Sequence, residues 1–130
     1  MSSTDQPGHG DFITSSSSTL DWRNPQNDNL WQGVNGINNP CPSGYSLPTY
    51  AELDQESVSW NSQDEAGAFA SALKLPVAGS FGTGDDGKHG YYWSSTVSST
   101  TAFILDFDSS IDNLYAFQRG NGFSVRCIKD

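Results

Sequence analysis

Basic residues are scarce in this chain: six lysines and arginines stand against fifteen aspartates and glutamates in 130 residues, for a formal charge of −9. A surface of that sign repels phosphate and anionic headgroups and offers no basic stripe, which excludes nucleic acid as a partner. Long apolar runs are missing too. The longest, such as Ala102-Phe103-Ile104-Leu105, fall far short of the roughly 20 residues a bilayer-spanning helix needs, so no membrane insertion is expected. Residues 1–19 are polar and lack the basic start and apolar run of an export signal. No Asn-x-Ser/Thr acceptor occurs, which argues against a glycosylated eukaryotic secretory protein. Histidine is nearly absent: His9 and His89 stand alone, with no spaced His or Cys partner, so neither a transition metal nor a cofactor is expected. No Gly-x-Ser-x-Gly elbow places a nucleophile, and catalysis is not expected.

What the chain does hold is ring and turn. Aromatics make up 12% and glycines number 13, amid many Ser, Thr, Asn and Asp, a composition of short strands and loops. Helix is nevertheless signalled in the middle. Thr49-x-x-Glu52 is a capping box that predicts a short helix from Tyr50 to about Ser57. Ser62-x-x-Glu65 repeats the device, and Ala66, Phe69, Ala70 and Leu73 then fall on one apolar face, with Pro76 closing the helix beyond Lys74. After residue 75 the pattern changes to strands at Leu75–Phe81, Tyr91–Thr96, Thr101–Phe107, Asn113–Gln118 and Gly122–Lys129. Helices followed by strands in blocks predict one α+β domain, residues 20–130, with an antiparallel sheet. Residues 1–19 read as a flexible tail or tether that packs by Phe12 and Ile13. Between tail and helices, Trp22, Leu30, Trp31, Val34 and Ile37 are spaced by Asn, Gly and Pro, a loop-rich layer pinned by tryptophan area.

Two motifs are decoys. Gly82-Thr83-Gly84-Asp85-Asp86-Gly87 spells a dinucleotide fingerprint, but two aspartates sit inside it and a strand follows where a helix is required, so it reads as a loop. Its aspartate pair matches no calcium-loop spacing. Cys41 and Cys127, the only cysteines, lie at opposite ends of the domain. Bonded, they close a loop that stabilises the chain by about 3–5 kcal/mol; the alternative is two buried thiols, and the redox compartment decides between them.

The segment from Val97 to Gln118 is unusual: Phe103, Ile104, Tyr115 and Phe117 are mixed with Asp106, Asp108, Asp112 and many Ser and Thr, without lysine or glutamate. Rigid rings that supply area and small polar groups that supply hydrogen bonds are the composition of adaptable paratopes. Every residue of 97–118 except Gln118 has a codon ending in a pyrimidine, the pattern expected when Asn codons are mutated at their adenines. Strand alternation sends Ala102, Ile104 and Asp106 to one face and Phe103, Leu105 and Phe107 to the other, so one face should be exposed and carry hydrophobes. A bulge would bring Phe103 and Ile104 together on the outside. The ligand contacts expected are Val97, Ser99, Thr101, Phe103, Ile104, Asp106, Asp108, Ser110, Ile111, Asp112, Tyr115 and Phe117, with Ala102, Leu105 and Phe107 as scaffold. The competing readings are ordinary core packing of the rings and, for Asp106 with Asp108, a carboxylate pair acting on a sugar.

Five ordered motifs frame that segment: Asn39-Pro40-Cys41-Pro42-Ser43-Gly44-Tyr45-Ser46-Leu47-Pro48-Thr49, Glu52-Leu53, Leu75-Pro76-Val77-Ala78-Gly79, Gly90-Tyr91-Tyr92-Trp93-Ser94-Ser95-Thr96 and Gly122-Phe123-Ser124-Val125-Arg126-Cys127-Ile128-Lys129-Asp130. Together with Asp21-Trp22-Arg23 and Leu30-Trp31 they resemble the Fibrobacter-succinogenes-type major paralogous domain over roughly residues 11–130. The resemblance implies a C-type lectin-like fold of the formylglycine-generating-enzyme subtype. It also implies kinship with the variable proteins of diversity-generating retroelements, in which a reverse transcriptase rewrites a C-terminal cassette. On that resemblance the chain is a display protein at a virion or microbial cell surface that binds a protein or glycan receptor. An undiversified adhesion module is the alternative. The reactive cysteines of the formylglycine-generating branch do not carry over, because Cys41 and Cys127 suit a structural staple better. Glu-Pro-Asn and Gln-Pro-Asp are both missing, which puts calcium-dependent sugar binding in doubt.

Overall fold

The computed structural model describes residues 1–13, 20–81 and 87–130, so all but the last glycine of the Gly82–Gly87 motif, and the end of the expected tail, lie outside the described residues. In chain order the elements are β1 (Tyr45–Ser46), α1 (Tyr50–Val58), α2 (Glu65–Ala70), β2 (Gly90–Ser98), β3 (Thr101–Phe107), β4 (Asp112–Gln118) and β5 (Ile128–Lys129). β1 pairs with β5, and β2, β3 and β4 form a second antiparallel sheet in that order. The domain is a loop-rich α+β unit. Among the described residues no helix is long and apolar enough to cross a membrane.

α1 begins where its capping box predicts. Thr49 Oγ1 accepts from the Glu52 N–H, and Glu52 Oε2 accepts from the Thr49 N–H at 2.8 Å, which satisfies two otherwise orphaned donors. α2 departs from expectation. Its cap is Asp64, not Ser62: Asp64 Oδ1 accepts from the Gly67 N–H at 2.9 Å and from Ser62 Oγ at 2.7 Å. Those two bonds hold the Asp64 carboxyl below its usual pKa, the Ser62 hydroxyl contributing most. The helix stops at Ala70, well before Lys74, and buries Gly67 and Ala68 while Phe69 is 60% exposed. Close approach accounts for the glycine: a Cβ on Gly67 would stand 1.9 Å from the Ser62 carbonyl oxygen, so no larger residue fits at that position.

The three-stranded sheet is covered on both sides. On one, Tyr92, Leu105 and Phe107 pack with Leu53 of α1, Trp60, Ala68 of α2 and Leu75. On the other, Trp93, Ala102 and Ile104 pack with Leu47, flanked by half-buried Trp31, Cys41, Tyr115, Phe117 and Phe123. The expectation of one solvent-facing side is corrected in part: the tryptophan-bearing loops and the C-terminal segment cover the Trp93, Ala102 and Ile104 part of the face that the helices leave open, and the part around Asp106 keeps access to solvent.

A bulge exists, but in β2. Trp93 lies opposite Ile104 and Val97 opposite Ala102, so Ser94, Ser95 and Thr96 together span the single position Phe103. The extra backbone serves the start of α1: the Ser95 N–H donates to Pro48 O at 2.8 Å, and Thr96 Oγ1 accepts from the Tyr50 N–H at 2.9 Å. β3 runs in unbroken register with β4, which puts Phe103 and Ile104 on opposite faces.

Two expected strands are not strands. Leu75–Phe81 joins the sheet region only through bridges at Gly79 to Gly90 and Phe81 to Gly122. Gly122–Lys129 contributes β5 and a single parallel bridge, in which the Ser124 N–H donates to Tyr91 O and the Trp93 N–H to Ser124 O, each at 3.0 Å. Cys41 and Cys127 are bonded, tying the loop before β1 to the residue before β5 across 86 positions. At the amino end, Ser2 bridges Arg23, Asp5 pairs with Arg23 at 2.7 Å and Phe12 stacks on Phe81 at 4.1 Å, pinning the expected tail.

Candidate functional site

The strand pairing assembles one contiguous polar and aromatic surface on the Ile104 side of the sheet. Tyr91 lies opposite Asp106, and Asp106 opposite Asn113, so β2, β3 and β4 each place a side chain there. Asp106 sits at the centre. Its Oδ1 is 2.9 Å from His89 Nδ1, and its Oδ2 accepts from the Tyr115 hydroxyl at 2.9 Å. His89 stacks on Tyr91 at 5.3 Å, Tyr91 on Phe123 at 4.9 Å, and Phe117 meets Phe123 edge-on at 5.2 Å and Tyr115 at 6.0 Å. The rings are offset, stacked or edge-to-face, the arrangements their quadrupoles favour. Each remains partly open to solvent.

Burial pushes the Tyr115 hydroxyl well above the usual tyrosine range, reinforced by its hydrogen bond to Asp106 and by that carboxylate's charge. The phenol therefore stays protonated and keeps donating. Burial likewise raises Tyr92, against the pull of Arg126, and the Tyr92 hydroxyl donates to Pro76 O at 2.8 Å on the helix side.

The twelve expected contacts do not form one patch. Asp106, Tyr115, Phe117 and Val97 share the surface just described or its border. Phe103 points to the other face, half-buried, with its ring against Tyr50 at 4.9 Å. Asp112 is there too, accepting from Ser57 Oγ of α1. Ser99 and Thr101 lie at the two-residue turn between β2 and β3, where Ser99 adopts φ 53°. Asp108, Ser110 and Ile111 form the β3–β4 turn, with Asp108 Oδ1 accepting from the Ser110 and Ile111 N–H groups. Ile104 is the clear correction. It is 0% exposed and packs in the cluster with Leu47, Trp93 and Ala102. Its alternation partner Asp106 escapes that fate because it lies near the strand end, beyond the covering loops.

His89, Tyr91 and Phe123 belong to the surface although sequence reasoning assigned them to a loop and to the frame. Period-two spacing was the available signal, since His89 precedes Tyr91 by two and so shares its side once a strand begins at Gly90. Phe123 carries no such signal, because isolated bridges at its neighbours Gly122 and Ser124, outside any strand, position it.

Both Asp106 oxygens are engaged by His89 and Tyr115, and Asp108 Oδ1 holds its own turn, its Oδ2 standing 4.0 Å from His89 Nε2. Among the described residues no group of three or more His, Cys, Asp or Glu is arranged to hold a metal ion. Comparison with protein-family models, with curated proteins and with solved structures yields no match to this chain.

Proposed function

We propose that this is a ligand-binding display domain with a C-type lectin-like fold, akin to the variable proteins of diversity-generating retroelements. Its recognition surface is the His89–Tyr91–Asp106–Tyr115–Phe117 face together with the β2–β3 and β3–β4 turns. One observation carries the reading. Within residues 97–118 the scaffold positions Ala102, Leu105 and Phe107 are buried, whereas every expected contact except Ile104 keeps access to solvent. A frame that anchors itself through alternate residues and a disulfide leaves the remaining side chains free to change. The ligand is a protein or glycan receptor on a virion's host or another microbial surface. The domain binds without catalysis, since Asp106 and Asp108 are committed to local partners.

The test is binding by the intact domain to glycan arrays and to surface-protein panels, compared with Ser99, Asp106, Ser110, Ile111 and Phe117 variants. Changed ligand choice with melting temperatures held within a few degrees supports the reading; identical ligands throughout, or loss of folding at most positions, overturns it. A near-identical copy of codons 97–118 nearby in the genome, differing at adenines alone, separates a diversified protein from a fixed adhesion module.

A further inference from the structure

β4 is the last strand of its sheet: β3 pairs with one side of it, and among the described residues no strand pairs with the other. The register fixes which backbone groups face outward. The Asp108 N–H donates to Ile111 O at 3.0 Å, directly beside the aligned residues Phe107 and Asp112, which makes that pair one of the non-hydrogen-bonded kind. Alternation along the unbroken ladder then turns the N–H and C=O of Asn113, Tyr115 and Phe117 towards β3, and those of Asp112, Leu114, Ala116 and Gln118 away from it. Gln118 O accepts from the Asn121 N–H at 3.2 Å and from Asn121 Nδ2 at 2.9 Å. The outward groups of Leu114 and Ala116 bond to no other segment among the described residues, and both residues are half-buried, not sealed.

A free sheet edge is normally blunted by lysine, proline or a bulge. β4 carries neither residue, and its register with β3 is unbroken over seven positions. An extended chain laid along it would gain main-chain hydrogen bonds at Leu114 and Ala116 and contact with the Tyr115 and Phe117 rings on one face. Charge selects the chain. Asp112 opens β4, Asp108 lies in the turn before it and Asp106 lies across from Asn113. At the far end Arg119 has only 10% of its side chain exposed and donates to Asp28 and to the Ser99 and Thr101 carbonyls. A second copy of this chain would bring another charge of −9 to the same edge, whereas a basic strand complements it.

We infer that the β4 edge takes up an extended basic segment of a protein partner as an additional strand, its lysines or arginines at the Asp106, Asp108 and Asp112 end and its apolar side chains beside Tyr115 and Phe117. The inference deepens the receptor reading and rests on it, selecting a protein over a glycan.

Amide hydrogen exchange on the intact domain reads the edge residue by residue. In the free protein Leu114 and Ala116 should exchange at least about tenfold faster than Tyr115 and Phe117, whose N–H groups β3 holds. An alternating lysine–valine octapeptide should bind with a dissociation constant on the order of 0.1–1 mM. At ten times that concentration it should slow exchange at Leu114 and Ala116 by about tenfold through mass action. The glutamate–valine counterpart, and the lysine–valine peptide N-methylated at every amide, should each bind at least about tenfold more weakly. Exchange at Leu114 and Ala116 as slow as at Tyr115, or no protection of them by the lysine–valine peptide at millimolar concentration, would overturn the site. So would equal protection by either control peptide. Protection in the free protein that grows with protein concentration would assign the edge to a second copy and overturn the inference as well. Altered ligand choice in the Ser99 and Phe117 variants without peptide protection would remove the edge site alone and leave the recognition surface standing.

Discussion

Tyr115 reaches diagonally across the β3–β4 pair to Asp106: its strand partner is Ile104, yet its hydroxyl donates to the carboxylate two residues further along β3, at 2.9 Å. Diagonal neighbours on one face of a sheet lie within reach of long side chains. The bond therefore locks an edge strand to the centre of the candidate surface.

Tyr115→Phe should cost about 1–2 kcal/mol, the range for a hydrogen bond to a charged acceptor that is only partly shielded. Tyr115 also brings a pH dependence. Its folded-state pKa is raised above the ordinary value near 10, so the folded chain still holds the proton where the unfolded chain has lost it. The contribution is complete below about pH 10 and is lost as pH climbs through the folded value. Urea unfolding from about pH 8 to pH 11 should show stability falling above 10, with a shallower fall in Tyr115→Phe.

Ile104 and Ile111 sit seven residues apart with opposite fates, one fully buried and one 60% exposed. Ile104→Ala should lose about 2–5 kcal/mol by leaving a cavity beside Trp93. Ile111→Ser should stay within about 0.5 kcal/mol. Denaturant midpoints of the two variants measure the contrast directly.

Gly90 faces Phe107 across the β2–β3 pair, and a Cβ there would fall 2.2 Å from the Phe107 ring. That ring is buried against Trp60 and Tyr92 and has no free direction in which to move. Gly90→Ala should therefore destabilise by about 1–3 kcal/mol through overpacking, read as a lowered melting temperature.

Reduction of Cys41–Cys127 should cost about 3–5 kcal/mol, because the bond closes most of the domain into one loop. The Cys41→Ser/Cys127→Ser pair should show the same loss without reductant, and thermal unfolding of both forms checks the agreement.

Period and punctuation alone made much of this architecture readable. Thr49 and Glu52 placed α1, and the apolar alternation of Thr101–Phe107 placed β3, because both signals are local: a cap satisfies its own helix and a strand alternates by its own geometry. The same logic failed at Ser62, where an aspartate two residues on competed for the cap, and at Phe69, which is exposed while Gly67 and Ala68 turn inward.

The chain by itself determined an acidic, loop-rich α+β domain, the positions of β3 and β4, and a segment in which rings and small polar groups are mixed. Only the tertiary structure decided which of those side chains remain available. Alternation states that Ile104 and Asp106 share a face, but that face is half covered by loops with no periodicity of their own, so burial there depends on long-range packing that no local pattern encodes. The joining of Cys41 to Cys127 and the meeting of His89 with Asp106 arise in the same way, from segments apart in sequence that only the folded chain brings together.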